Sequence, residues 1–189
     1  MEYSGCSFKV RKKYCSHSTS GIAALLLPGG RTAHSRFKIP VPTLESSICN
    51  IEQGTELAEL LKRTKLIICD EAPMTHKFYF EALDKSLRDI TSVGGKPSKL
   101  IFGGKVIVFG GDFRQILQVI PNGNRYDIIH STINTSYIWD HCKVLTLTKN
   151  MRLLNGQTQS SKETKKFSEW ILKVGDGKIS EANDGYGNI

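Results

Sequence analysis

The first regular pattern along the chain is a run of small and apolar residues, Thr19-Ser20-Gly21-Ile22-Ala23-Ala24-Leu25-Leu26-Leu27, closed by Pro28-Gly29-Gly30. A Ser/Gly entry and a Pro-Gly-Gly exit predict a short helix over 19–27. A second helix is predicted over 55–63, with Thr55 as its cap and Leu57, Leu60 and Leu61 on one face. The period then changes. Leu66-Ile67-Ile68-Cys69 is a continuous apolar run that stops at Asp70-Glu71, the pattern of a strand buried on both faces of a parallel sheet. Met74, Phe78, Leu83, Leu87 and Ile90 then recur at helical spacing until Gly94-Gly95-Lys96-Pro97. Lys105-Val106-Ile107-Val108-Phe109 predicts a second buried strand, ended by Gly110-Gly111-Asp112, and Val144-Leu145-Thr146-Leu147 predicts a third. A last helix is predicted over 162–174, with Ser160 and Glu163 set as a capping box and Phe167, Trp170, Ile171 and Val174 facing inward.

Strands alternating with helices define an α/β fold built on a parallel sheet, whose ligands bind at the C-terminal ends of the strands. Asp70, Glu71 and Asp112 all fall there. The chain has 189 residues, of which 39% are hydrophobic, enough for the core of a single domain, and it contains no run of about 18 apolar residues. A membrane partner is therefore not expected. Twenty-six basic residues against 18 acidic ones leave a net charge of +8, which favours an anionic partner such as nucleic acid. The charge is local: residues 1–40 hold seven basic residues against one acid, six of the net eight positive charges. Five cysteines without a Cys-x-x-Cys pair indicate neither a disulfide framework nor a structural zinc. Arg11, Lys12 and Lys13 follow Val10 directly, so the N-terminus lacks the apolar core of a secretory signal.

An apolar strand ending in Asp70-Glu71 suits a nucleoside triphosphatase, in which one carboxylate holds hydrated Mg²⁺ and the next orients the attacking water. Acids capping the following helix are the alternative. Gln115, three residues beyond Asp112, is placed to touch a γ-phosphate or a water, or to lie on a helix surface after a tight Gly-Gly turn.

Five blocks, in order, carry a family resemblance. They are Thr19-Ser20-Gly21-Ile22-Ala23-Ala24 with Gly29-Gly30-Arg31-Thr32-Ala33-His34-Ser35-Arg36-Phe37; Ile67-Ile68-Cys69-Asp70-Glu71-Ala72-Pro73-Met74; Gly103 to Gln115; Leu145-Thr146-Leu147-Thr148-Lys149-Asn150-Met151-Arg152; and Phe167 to Gly177. With them the chain resembles the Pif-type (petite integration frequency) ATP-dependent DNA helicases of superfamily one, in their plant and mobile-element branch. The resemblance implies a RecA-like P-loop NTPase fold with a three-layer arrangement, here a partial first motor domain over 18–185, after an unmatched basic segment 1–17 and before a cut connection at 186–189. It implies ATP and Mg²⁺ as cofactors, single-stranded DNA and DNA forks as partners, a monomer, and 5′-to-3′ unwinding in repair, recombination and telomere maintenance. A nuclear location follows from the same resemblance, with the mitochondrion as the alternative.

Residue by residue, the resemblance implies that Asp70 holds Mg²⁺, Glu71 is the base for water, Gln115 senses the γ-phosphate and Arg152 stabilises transition-state charge. Ser20, Gly21, Arg31, His34, Ser35 and Phe37 match the segments that hold the DNA strand, hydroxyls and backbone N–H groups on phosphates and the ring against a base. Taken without the resemblance, Phe37 also fits a core position, His34 a turn and Arg152 the surface. Gln118 stands where a proline is usual in the family. The phosphate loop Gly-x-x-x-x-Gly-Lys-Ser/Thr is absent from these residues, and Ser4-Gly5-Cys6-Ser7-Phe8-Lys9 is its nearest match. The strand bearing that loop is expected to be missing from the sheet, leaving its neighbours short of hydrogen-bond partners and the chain poorly stable. A non-catalytic single-strand binder is the alternative function.

Overall fold

Four parallel strands form a single sheet in the order β2-β1-β3-β4, where β1 is Tyr14–Ser18, β2 Arg31–Thr32, β3 Leu66–Asp70 and β4 Val106–Phe109. The computed structural model describes residues 14–18, 31–114, 117–148, 151 and 159–178. It divides into two compact units, Met1–Cys142 and Lys143–Ile189. The helix expected over 19–27 lies outside the described residues. The α/β class with a parallel sheet is present, and β1 occupies an inner position within a segment for which the sequence offered no counterpart.

β3 sits between β1 and β4, with Ile67 opposite Cys15 on one side and Ile107 on the other. Its side chains alternate in burial, so only Ile67 and Cys69 are fully covered. The expectation of burial on both faces is corrected, and β4 departs further: Val106 is 61% and Val108 48% exposed. Paired residues of a parallel ladder share a face. Ile67, Cys69, Ile107 and Phe109 therefore share the face that the helices cover, while Val106 and Val108 lie on the other. Among the described residues nothing pairs with the second edge of β4.

The helical layer follows local rules. Helix α1 is Ala33–Phe37, α2 Glu56–Arg63 and α3 Lys77–Ile90. Thr55 caps α2 by accepting from the Ala58 N–H at 3.3 Å. Glu56 and Glu59 in its first turn and Lys62 and Arg63 in its last complement the helix dipole. Ala58 and Leu61 are buried and Leu57 packs against the core, as expected of the apolar face, whereas Leu60 is 37% exposed at its edge. Lys105, just before β4, donates to the carbonyls of Lys62 and Thr64 at 3.2 and 2.9 Å and ties the strand to the end of α2.

α3 is central and buried on several sides. Phe80, Leu83, Leu87 and Ile90 join the core, and Phe80 meets Phe109 edge-on at 5.1 Å, which seats the helix on the sheet. Two acids of α3 are buried and fully engaged. Glu81 accepts from the Ser136 hydroxyl at 2.7 Å, and Asp84 accepts from the Tyr137 hydroxyl at 2.7 Å and the Phe102 N–H at 2.5 Å while pairing with Arg88 at 2.9 Å. These bonds hold the 3₁₀ turn Ile101–Gly104 and the segment after α4 (Arg125–Ser131) against α3. Burial and the Asp84 bond both push the Tyr137 phenol above its ordinary range.

In the second unit, Val144–Leu147 forms no strand and Leu147 is 98% exposed. An apolar run becomes a strand only where a partner strand supplies hydrogen bonds, and among the described residues none does. Helix α5 spans Gln159–Gly175, so Ser160 lies inside its first turn and is not the cap. Phe167 and Trp170 stack at 5.8 Å, and with Ile171 and Val174 they are about half exposed, in contrast to the inward placement expected.

Candidate functional site

Asp70 is the last residue of β3, and Glu71 leaves the strand in the left-handed conformation, φ 56° and ψ 38°. That conformation is uncommon for a residue with a Cβ, and such strain collects at functional sites. The Asp70 carboxylate accepts from the Glu71 N–H at 3.0 Å, fixing the two acids relative to each other. The Ala72 N–H donates to the Gly110 carbonyl at 2.9 Å, and the Gly110 N–H donates to the Cys69 carbonyl at 2.8 Å. These bonds stitch the ends of β3 and β4 together and bring the Gly110-Gly111-Asp112 loop beside the carboxylate pair. The sequence placed both acids at a strand end; strand pairing brings the loop to them.

The loop is glycine for a steric reason. A Cβ on Gly111 would lie 2.2 Å from Pro73 Cδ, whereas one on Gly110 would meet nothing closer than Asp70 Oδ1 at 3.5 Å. Asp112 is half-buried and accepts from the Arg114 N–H at 2.9 Å. Among the described residues no three His, Cys, Asp or Glu side chains converge as a metal-binding set. Mg²⁺ prefers one or two carboxylates completed by water and phosphate oxygens, and the half-buried Asp70-Glu71 pair fits that requirement.

The predicted DNA-facing residues divide. His34 and Ser35 on α1 are exposed. Phe37 is fully buried in the core cluster, so the expectation that its ring stacks on a base is corrected: the turn of α1 that exposes His34 and Ser35 directs Phe37 inward. The Arg31 backbone belongs to β2. Ser20, Gly21, Gln115 and Arg152 lie outside the described residues.

The sequence did not single out a cavity of about 380 Å³ that opens beside His34. Met74, Thr75 and the cap His76 just before α3, Tyr79 in its first turn, and Gln118 complete most of its wall. His34 meets Tyr79 edge-on at 5.3 Å. His76 caps α3, its Nδ1 accepting from the Phe78 N–H at 3.1 Å. Burial, and secondarily Lys77, holds its imidazole below the ordinary histidine range against the opposing pull of Glu81. The sequence reads His34 as DNA-facing and Gln118 as a departure from the expected proline, but nothing in it joins them into one site.

A parallel sheet with acids at the C-terminal end of an inner strand is the layout of ligand-binding α/β folds, the RecA-like class among them. The chain belongs to the PIF1-like helicase family, whose sequence model matches residues 8–185. No curated protein is significantly similar to it in sequence. Among solved structures it is similar to that of two coordinating Pif1 helicases unwinding forked duplex DNA, at TM-score 0.70 and 24% identity over 92% of this chain and 40% of that one. A Bacteroides Pif1 helicase solved with ADP-AlF3 and single-stranded DNA gives 0.67 and 21%, over 95% and 43%. Pif1 helicase from Candida albicans gives 0.65 and 20%, over 90% and 35%. The chain thus spans about 40% of the first relative's length. At these identities the likeness shows the fold. No helix among the described residues is long and apolar enough to cross a membrane.

Proposed function

We propose that the chain is part of the first motor domain, over residues 18–185, of a helicase that hydrolyses ATP to move 5′-to-3′ along single-stranded DNA and open forks. The observation that carries this reading is the Asp70-Glu71 pair at the end of β3, stitched to the glycine loop after β4. Bound Mg²⁺-ATP supplies the transferable γ-phosphoryl group and neutralises its charge. Asp70 would hold the hydrated metal, and Glu71, turned out of the strand, would orient and deprotonate the attacking water. Gln115 and Arg152 take the γ-phosphate contact and the stabilisation of developing charge. Ser20, Gly21, Arg31, His34 and Ser35 would hold the DNA strand, a role supported by the exposure of His34 and Ser35 and by the basic N-terminal block. A monomer acting in the nucleus or the mitochondrion, in repair, recombination and telomere maintenance, completes the proposal.

A second reading, a single-strand binder without turnover, is favoured by one observation: the net positive charge is concentrated in residues 1–40, the block that holds the DNA-facing residues. ATP turnover by the chain with and without single-stranded DNA separates the two. DNA-stimulated phosphate release that falls about 10²-fold or more in Glu71→Gln supports the motor. Salt-sensitive DNA affinity without turnover, indifferent to Glu71→Gln, supports the binder. Absence of both sinks both.

A further inference from the structure

The edge of the sheet opposite the carboxylate pair carries a charge of its own. The strands are parallel, and α3 leaves the C-terminal end of β3 and returns to the start of β4, so its last turn lies at the N-terminal edge of the sheet. α2 ends at the same edge, just before β3. Lys62-Arg63-Thr64-Lys65 and the segment 91–105, which holds Lys96, Lys99 and Lys105, together contain six basic residues and no acid. Folding joins the two stretches. Lys105 Nζ donates to the Lys62 and Thr64 carbonyls at 3.2 and 2.9 Å, and the Val106 N–H donates to the Lys65 carbonyl at 3.0 Å. The Ser98 N–H donates to the Arg88 carbonyl at 3.2 Å, which holds the turn bearing Lys96 and Lys99 against the end of α3.

Five of the six basic residues are exposed, and Lys105 is half-buried. Glu59 pairs with Lys62 at 2.8 Å and Asp89 is exposed in the last turn of α3, while Arg88 and buried Asp84 offset each other. Four positive charges therefore remain unmatched among the described residues of this edge. Burial, and then the like charge of Lys65, holds the Lys105 ammonium below its ordinary range, so the cations crowd one another. Lys62 and Arg63 complement the C-terminal dipole of α2, but Lys65, Lys96 and Lys99 belong to no helix. The exposed apolar residues here, Val93 and Leu100, are aliphatic, and Phe102 is buried. A single strand is held by bases stacked on aromatic rings, whereas a duplex conceals its bases and presents phosphates. At about 3.3 Å per residue, Lys65 stands roughly 16 Å along the strand from Asp70, clear of the carboxylate pair.

We propose that this basic edge, formed by Lys62–Lys65 and the segment carrying Lys96, Lys99 and Lys105, binds the phosphate backbone of duplex DNA. It depends neither on the nucleotide chemistry nor on the single-strand contacts proposed above.

The test is fluorescence anisotropy of the whole chain with a labelled blunt-ended DNA duplex over a series of salt concentrations. The double variant Lys96→Glu/Lys99→Glu alters exposed side chains in the connection before β4. It should weaken duplex binding about tenfold or more and lower the salt slope by roughly 2. Lys143→Glu/Lys178→Glu makes the same change in net charge on exposed lysines of the second unit and should leave both values nearly unaltered. The unmodified chain gives an independent readout: excess unlabelled single strand should not displace the duplex. Absence of duplex binding, equal losses in the two double variants, or complete displacement by the single strand overturns the proposal. Displacement by polyglutamate as effective as by unlabelled duplex also overturns it, in favour of an acidic protein partner. Duplex results as expected, with no binding of a single strand, would uphold this inference and sink the single-strand contacts.

Discussion

Gly111→Ala tests whether the loop beside the carboxylate pair is held as described. The added Cβ would sit 2.2 Å from Pro73 Cδ, 2.9 Å from Pro73 Cγ and 3.4 Å from the Ala72 nitrogen. The first contact is about 1.3 Å inside the shortest favourable carbon–carbon separation, roughly 3.5 Å. Pro73 is buried and its ring cannot swing away as a flexible side chain would. Relief requires the backbone of 110–112 to move, at an overpacking cost of about 1–3 kcal/mol. That movement breaks the 2.9 Å bond from the Ala72 N–H to the Gly110 carbonyl, worth about 1 kcal/mol. Alanine also restricts the unfolded chain, which returns about 0.4–1 kcal/mol. The net destabilisation is about 1–3.5 kcal/mol, or a fall in Tm of roughly 2–14 °C for a chain of this length. Urea denaturation followed by circular dichroism measures it. Gly110→Ala is the internal control, because its Cβ meets Asp70 Oδ1 at 3.5 Å and the Cys69 carbonyl at 3.8 Å, ordinary contact distances. It should cost less than about 1 kcal/mol. Equal midpoints for the two variants would refute the steric account of the loop.

Two further predictions concern α3. Asp84 has a side chain only 1% exposed and engages Tyr137, Phe102 and Arg88, so Asp84→Ala should lower unfolding free energy by about 3–5 kcal/mol by urea titration; a loss under about 1 kcal/mol would show that the network holds nothing together. His76 is kept neutral in the folded chain, with a pKa below the ordinary 6.5. Between its folded pKa and 6.5 the unfolded chain binds more protons, so this contribution to stability is complete above about pH 6.5 and is lost as pH falls through the folded value. Urea midpoints measured from about pH 7.5 downward should show that decline, and His76→Asn, which keeps a capping acceptor, should flatten it; an unchanged slope in the variant rejects the assignment to His76.

Local signals accounted for the parts of the fold that depend on neighbours in sequence. Thr55 caps α2 as its hydroxyl and position required, Leu66–Asp70 is a strand, and Leu83, Leu87 and Ile90 face the core from a helix. The carboxylate pair was legible for the same reason, since a buried run ending in two acids places them at a strand terminus whatever surrounds it. Periodicity states which positions are apolar and is silent on what covers them. Val106 and Val108 read as buried, yet β4 is an edge on which those side chains remain exposed. Val144–Leu147 has strand composition and no strand, because pairing depends on a partner elsewhere in the chain. Phe37 carried two meanings in the sequence, and the orientation of α1 against the core decided for burial. The cavity is the clearest case, assembled from His34, the 75–79 segment and Gln118, three stretches far apart in the chain with no shared pattern. Sequence by itself determined the Thr55 cap, the core face of α3 and the acids at the strand end, because each is set by residues within a turn or two. Tertiary structure alone decided which edge stays open, which ring is buried and which residues line the cavity beside His34, because those depend on which distant segments the folded chain brings into contact.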